Sequence, residues 1–433
     1  MGERLLSRNW GKPESHTLKT YLQGGGYTSL AKALAMAPGD LIEEVKKSGL
    51  RGMGGAGFST GMKWSFVPKD KPGPRYLCIN ADEGEPGTYK DRYIMDRDPH
   101  MMLEGIAIAC HAIGAHTAYI YIRGEFHAIA RRLEQAIAEA VDAHYLGKNI
   151  LGKGFDLDVF VHRGAGAYVC GEETALIESI EGKPGKPRLK PPFPAVVGVF
   201  GQPTIVNNVE TLAQVPHILE RGADAWKSLG VNGGVGTKLY GASGHVARPG
   251  LWELPQGISL KELIFEHGGG LRDGKALKGV IPGGSSTPVL LPDEIDVPLT
   301  FDAMSKAGTM LGTGCAAVLD ESTCTVRLTA RLMRFYAHES CGQCTPCREG
   351  THWIAKMATR VEQGHGSSED ITLFDEVAAN ILGNTICPLG DAAAIPARAF
   401  VKKFRHEFEE HIRLQRCPFG PQAIRPGNAE ITG

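Results

Sequence analysis

The chain has no apolar stretch long enough to span a bilayer. Its most membrane-like segment, residues 101–122, is interrupted by Glu104, His111, Gly114 and His116, whereas a spanning helix needs about 18 or more largely uninterrupted apolar residues. If the protein works at a membrane, other chains must hold it there. Residues 1–20 contain no apolar run of signal-peptide length, so the expected location is the cytoplasm. Neither sign of charge dominates: 47 basic side chains face 48 acidic ones, which leaves no electrostatic ground for nucleic acid or an anionic membrane as partner. Ten cysteines in 433 residues are too few for a disulfide scaffold. Internal repeats and low-complexity tracts are also absent, and a chain of this length has room for about two to four domains.

What cysteine there is, is concentrated. Cys341, Cys344 and Cys347 fall within seven residues, and Cys387 stands directly before Pro388. Two intervening residues let the chain turn so that successive thiolates point at different irons of one cubane, and a distant fourth thiolate closes the site. Thirty-nine residues separate Cys347 from Cys387, so two segments must meet. Structural zinc is the competing reading, although zinc ribbons usually pair two separate C-x-x-C knuckles. A redox-active C-x-x-C would have no use for the third cysteine. The other six, Cys78, Cys110, Cys170, Cys315, Cys324 and Cys417, share no ligand spacing and read as small buried apolar groups.

From about residue 75 to 182 the pattern alternates. Strands are predicted at 76–80, 118–122 and 156–162, and helices at 103–113, 127–143 and 171–181, after a short amphipathic helix at 40–48. Alternation of this kind implies a parallel sheet flanked by helices. A Pro-rich stretch, 184–194, should cross the surface. Beyond about 230, short β-like runs at 238–241 and 279–282 and a helical piece at 260–267 suggest a small α+β domain. Helices are predicted at 326–338, 349–361, 371–381 and 397–414, with Ser368 as an N-cap, and a helical bundle carrying the cysteines is the natural inference. The expected division is an N-terminal helical segment (1–58), an α/β domain (59–230), a small α+β domain (231–324), a helical bundle (325–416) and a Pro/Gly-rich tail (417–433).

Three loops carry the other chemistry. Gly52, Gly54, Gly55 and Gly57 would let backbone N–H groups approach a phosphate. The residues before them read as a helix where a dinucleotide fingerprint requires a strand, so a flexible turn stays open as an alternative. Lys63 follows as a cation, with Phe58, Trp64 and Phe66 as flat surfaces for stacking. After the first strand, Asn80, Asp82, Glu83 and Glu85 gather at the strand's carboxyl end, where open α/β sheets bind ligands, and such groups suit sugar and ribityl hydroxyls. A solvated acidic turn is the plainer reading. The third loop, 164–171, leads into Glu172 and Glu173 at a helix start. Capping alone could explain these acids, while a carboxylate on a ribose would favour NAD over NADP.

These loops, together with Lys190-Pro-Pro-Phe193-Pro, Asn207-Asn208-Val-Glu and the cysteine cluster, stand in the order found in the NADH-binding flavoprotein subunits of respiratory complex I, which the chain resembles from about residue 24 to 413. The strings E-S-C-G-Q-C-T-P-C-R-E-G and R-G-A-G-A-Y-V-C-G-E-E-T-A-L carry the resemblance. It implies a Rossmann-like α/β flavin domain, a β-grasp (ubiquitin-like) domain and a helical bundle. It further implies FMN surrounded by Gly52, Gly54, Gly55, Lys63, Asn80, Asp82, Glu83, Tyr168, Gly171, Glu172, Asn207 and Asn208. NADH as substrate would lie over the flavin, with Phe58, Phe66 and Phe193 near its adenine and Glu85, Glu173 and Lys190 in polar contact. Cys341, Cys344, Cys347 and Cys387 would hold a [4Fe-4S] cluster, and no side chain would act as a catalytic acid, base or nucleophile. Expected partners are a thioredoxin-like [2Fe-2S] subunit and a larger iron-sulfur subunit, in a peripheral arm on the cytoplasmic face of the inner membrane. Flavoprotein subunits of NAD-reducing hydrogenases and NAD-dependent formate dehydrogenases are also similar, and a zinc-stapled binding module without flavin is the alternative from another class. The chain departs from the family pattern G-R-G-G-A-G-F-P-T-G at Met53 and Ser59, which implies one phosphate-side cation fewer, and at Gly84, where a larger residue is common.

Overall fold

The computed structural model describes residues 3–420; of the tail expected at 417–433, the part from 421 on lies outside the described residues. Four parallel strands, β1 (Tyr76–Ala81), β2 (Thr117–Ile122), β3 (Asp158–Arg163) and β4 (Thr204–Asn208), form a sheet in the order β3-β2-β1-β4. Because β2 and β4 lie on opposite sides of β1, the chain reverses its direction of winding there and opens a crevice at the carboxyl ends of β1 and β4. The expected alternation of strand and helix is present. The last unit is an addition: β4 and the helix Val209–Arg221 fall in a stretch with no assigned elements, because the strand is only five residues long and the helix contains Pro216. The helix expected at 171–181 is shorter, running Glu173–Ile180 after a tight turn at Tyr168–Gly171.

The segment with membrane-like composition is the helix Pro99–Ile113, buried along almost its whole length. Glu104 in its middle accepts hydrogen bonds from the Tyr21 hydroxyl and from the backbone N–H groups of Tyr27 (2.9 Å) and Leu30 (2.8 Å). One carboxylate thereby serves the N-terminal end of the helix Thr28–Ala33 and draws the N-terminal segment into the same core as the sheet. About a quarter-turn round the helix from Glu104, Gly105 lies so close to Val209–Arg221 that a Cβ there would sit 2.0 Å from the Leu212 carbonyl oxygen.

The second sheet contains β5 (Thr237–Gly244), β6 (Gly250–Pro255), β7 (Leu277–Ile281) and β8 (Cys315–Asp320) in the order β6-β5-β8-β7. Its central pair, β5 and β8, is parallel and both outer pairs are antiparallel, which is the β-grasp arrangement. Five helices follow: Thr325–Glu339, Thr345–Glu362, Ser368–Ile381, Leu389–Lys403 and Arg405–Leu414. Two details differ from expectation. Ser367, not Ser368, is the N-cap, in a reciprocal capping box with Asp370. The segment expected as one helix at 397–414 is two, broken at Phe404, which caps the first of them and precedes the second.

A chain of buried charge joins the two sheets. Lys90 pairs with Asp91 (2.7 Å) and Glu210 (2.8 Å), and Glu210 also pairs with Lys238 on β5 (3.0 Å). Burial opposes every one of these charges. Facing carboxylates nevertheless hold the Lys90 pKa above the usual lysine value, and the two ammonium groups hold Glu210 below the usual carboxylate value. Removing a member of such a set strands the rest. Glu210→Ala is expected to cost about 3–5 kcal/mol of stability, read as a lower unfolding midpoint in denaturant; an unchanged midpoint would contradict the pairing.

Candidate functional site

Residues 52–57 loop over the carboxyl end of β4. Gly54 packs on Asn208, where a Cβ would approach the Asn208 Cβ to 3.2 Å, and Gly55 and Gly57 have φ of +118° and +65°. Such backbone geometry favours glycine. The Met53 N–H donates to Thr211 Oγ1 (2.8 Å), and the Met53 side chain is wholly buried. Arg51, beside the loop, is tied to the Gly57 carbonyl and to Asp302 (2.9 Å). Ser59, where the family pattern has proline, caps the short helix Thr60–Ser65 by accepting from the Met62 N–H. Trp64 is a correction: expected as a stacking surface, it is fully buried, and its Nε1–H donates to Asn207 Oδ1 at 2.8 Å. Phe58 and Phe66 instead are 52% and 51% exposed with ring centroids 6.0 Å apart, and Phe193 is 58% exposed.

After β1, Asn80 donates to the Gly171 carbonyl (2.7 Å) and accepts from the Asp82 N–H. Asp82 is buried, and its Oδ2 has no hydrogen-bond partner in the protein; a Cβ at Gly171 would lie 3.7 Å from it. Burial pushes this carboxyl up to about 7. An unpartnered buried oxygen beside side-chain-free backbone suits a ligand rich in hydroxyls, as the ribityl chain of FMN is. Glu83 differs: its oxygens accept from the Asp91 N–H (2.8 Å) and from Arg92 (2.7 Å), so it braces the following helix. Glu85 accepts from the Tyr168 hydroxyl and the Ser286 N–H, both at 2.7 Å. Glu172 caps its helix through the N–H groups of Thr174 and Ala175. Lys190, in the Pro-rich crossing, lies 3.0 Å from both Glu172 and Glu173, and Lys63 lies 2.8 Å from Glu173. Asn208 donates to Asp91 at 2.8 Å.

The loop 168–172 has a second face. Its Val169 and Cys170 belong to one apolar cluster with Cys347, Cys387 and Leu389, against which Cys341 and Cys344 pack. The Tyr168 N–H donates to Glu339 (2.9 Å), and the Tyr168 ring meets the edges of Phe335 and Tyr336. Cys347 lies in the first turn of Thr345–Glu362, and only the capping residue Pro388 separates Cys387 from Leu389–Lys403. Two helix N-termini thus face the thiols and favour negative charge there. Burial pushes the Cys347 thiol up to about 11 and the Cys387 thiol up to about 12, so their thiolates require a cationic centre. Among the described residues, no three of these four sulfurs lie within 4.8 Å of one another. A single tetrahedral zinc would hold them about 3.8 Å apart; the wider spread fits thiolates arranged around a cluster. Sequence reasoning did not find Lys90, Asp91 or Thr211, and it named Glu210 and Glu339 only as members of the Asn207-Asn208-Val-Glu and E-S-C-G-Q-C-T-P-C-R-E-G strings, without the bracing roles that the fold gives them.

A crevice bordered by the glycine loop and the acidic turn shares the loop 168–172 with a cluster of four cysteines, the arrangement of the class of flavoproteins that hand electrons to an iron-sulfur centre. Comparison with known proteins gives the same architecture: residues 45–217 match the Nuo51 FMN-binding domain, 238–306 the SLBB domain, and 327–411 the NADH-ubiquinone oxidoreductase-F iron-sulfur binding region. The chain is 56% identical over 420 residues to the second F-type subunit of the NADH-quinone oxidoreductase of Rhizobium meliloti, covering 97% of this chain and 100% of that one. It is 52% identical to the corresponding NADH-quinone oxidoreductase chain of Mycobacterium bovis, over 96% of this chain and 95% of the relative. An air-oxidized NAD+-reducing [NiFe]-hydrogenase is similar in structure, with a TM-score of 0.81 at 35% identity over 98% of this chain and 68% of that one. The chain belongs to the family of F-type subunits of NADH-quinone oxidoreductases.

Asp82 makes the site sensitive to pH. Its folded pKa lies above the ordinary aspartate value, so between about pH 4 and 7 the native state binds more protons than the unfolded chain, and stability falls as pH rises through that window. Asp82→Asn removes the penalty. Its unfolding temperature is expected to gain on that of wild type from about pH 5 to 7 and to keep a constant lead above; a lead that shrinks with rising pH would refute this account of Asp82.

Proposed function

We propose that this chain oxidises NADH by hydride transfer to FMN held at the carboxyl ends of β1 and β4, and that single electrons leave through a [4Fe-4S] cluster on Cys341, Cys344, Cys347 and Cys387 toward quinone. FMN, when bound, accepts two electrons together and releases them one at a time, which suits a one-electron cluster. The observation that carries the reading is the loop 168–172: the Gly171 carbonyl is bonded to Asn80 on the flavin side, while Cys170 packs with the cluster cysteines.

In this reading Gly52, Gly54 and Gly55 admit the FMN phosphate to backbone N–H groups, with Lys63 as the nearby cation. Asn80, Asp82, Gly171, Asn207 and Asn208 line the ribityl chain and ring. Glu83 acts through Arg92 and the Asp91 N–H, as a brace for the acidic loop. Phe58, Phe66 and Phe193 offer exposed rings to the adenine, Glu85, Glu173 and Lys190 supply polar contacts to NADH, and Tyr168 stays on the flavin side. Glu172 and Glu173 disfavour a 2′-phosphate by charge and so select NADH over NADPH. No side chain serves as nucleophile or general base. Binding NADH exchanges the Lys190–Glu173 pair for contacts to its ribose and phosphates.

The chain works within a multi-subunit complex. Its nearest partners are a thioredoxin-like [2Fe-2S] subunit and a larger iron-sulfur subunit, in a peripheral arm at the cytoplasmic face of the inner membrane. No helix among the described residues is long and apolar enough to cross a membrane, so attachment runs through the other subunits. A second reading, the flavoprotein part of an NAD+-reducing hydrogenase, uses the same fold and sites. The higher identity to quinone-linked relatives, 56% against 35%, favours the first.

Cys344→Ala is expected to leave anaerobic bleaching of the flavin by NADH intact and to abolish electron delivery to partner subunits, measured as quinone reduction in the assembled complex. Undiminished quinone reduction would remove the cluster from the pathway. Phe66→Ala should raise KM for NADH by roughly two- to tenfold, from an aromatic contact of about 0.5–1.5 kcal/mol, with kcat preserved; an unchanged KM would place the adenine elsewhere.

A further inference from the structure

Away from the cofactor sites, three soft ligand atoms converge where the helical bundle begins and ends. Cys324 directly precedes the helix Thr325–Glu339, His411 lies in the last turn of Arg405–Leu414, and Cys417 follows that helix. The Cys324 sulfur is 3.3 Å from His411 Nε2 and 3.7 Å from the Cys417 sulfur, and all three ligand atoms lie within 4.8 Å of one another. His411 Nδ1 is 2.7 Å from the Glu407 carbonyl oxygen, to which it donates. That bond fixes the tautomer and leaves an unprotonated Nε2 facing the two sulfurs. The Arg327 N–H donates to the Cys324 sulfur at 3.3 Å, a supporting contact typical around bound thiolates.

We propose that Cys324, His411 and Cys417 bind a zinc ion that ties the end of the bundle to its beginning, a role distinct from electron transfer. With bonds of about 2.3 Å to sulfur and 2.0–2.1 Å to nitrogen, tetrahedral zinc sets sulfur–sulfur separations near 3.8 Å and sulfur–nitrogen separations near 3.6 Å. The two spacings from the Cys324 sulfur match within a few tenths of an ångström, and His411 Nε2 and the Cys417 sulfur lie within 4.8 Å of each other, whereas no three of the cysteines at 341–387 come that close. Two thiolates with an imidazole suit zinc over hard divalent ions such as magnesium and calcium. Their two protons leave on binding, so the site is neutral with Zn2+. Cys417 is half-buried, and water on its exposed side completes the coordination.

The test uses the full chain purified with its flavin and cluster. Elemental analysis should find about one zinc per chain beside the cluster iron, and zinc-edge X-ray absorption should show about two sulfurs at 2.3 Å and two lighter atoms at 2.0–2.1 Å. Cys417→Ser should lower retained zinc at least about tenfold while iron and FMN contents stay at wild-type values. Should that variant fail to load iron or FMN, the wild-type absorption spectrum decides. Wild-type protein with far less than one zinc, a spectrum without sulfur neighbours, zinc retained in Cys417→Ser, or a Cys324–Cys417 disulfide found by mass spectrometry would each overturn the proposal.

Discussion

The buried set Lys90, Asp91, Glu210 and Lys238 is the constraint on which the cleft depends. Asp91 holds Asn208, Glu210 stands two residues beyond Asn208 at the start of its helix, and Lys238 belongs to the β-grasp sheet. The same Glu210 accepts the Leu239 N–H at 2.8 Å. Charge neutrality inside a low-dielectric interior therefore fixes three separate parts of the chain at one spacing. A hydrophobic contact could slide; an ion pair without water cannot loosen without exposing a charge. The rim of the flavin cleft inherits that rigidity, as does the placement of the glycine loop that packs on Asn208.

Electron transfer needs the two redox sites to be close and the medium between them to stay fixed. Loop 168–172 meets both needs by presenting its carbonyl and carboxylate groups to the cleft and its apolar side chains to the cysteines. Glu339, the last residue of the first bundle helix, holds the loop from the cluster side through the Tyr168 N–H, and Glu85 holds it from the cleft side through the Tyr168 hydroxyl. Tyr168 thus ties the acidic turn after β1 to the first bundle helix. The proposed zinc tie lies at the far margin of the same bundle and would limit splaying of its first and last helices.

Much of this was legible in sequence where chemistry is local. Three cysteines within seven residues declare themselves, and acids at the start of a helix do so by their position. Periodicity marked β1, β2, β3, β5 and β7 and the long helices other than Val209–Arg221, but not β4, β6 or β8, and it could not show that Trp64 turns inward while Phe66 turns out, since a six-residue helix shows too little of its faces. Pro216 concealed a buried helix because proline usually ends one. Composition likewise could not show that Glu83 braces the helix that follows it. Cys324 and Cys417, 93 residues apart, became neighbours only through helix packing, and no spacing rule reaches that far.

Glu104 bears on how the chain is made. Every donor to its carboxylate, from Tyr21, Tyr27 and Leu30, precedes it in sequence and has already left the ribosome when the apolar helix emerges. Its Gly105 side must wait about a hundred residues for Leu212. During synthesis, then, the Glu104 side of this helix has its neighbours early, while the side that meets Val209–Arg221 stays uncovered for longer.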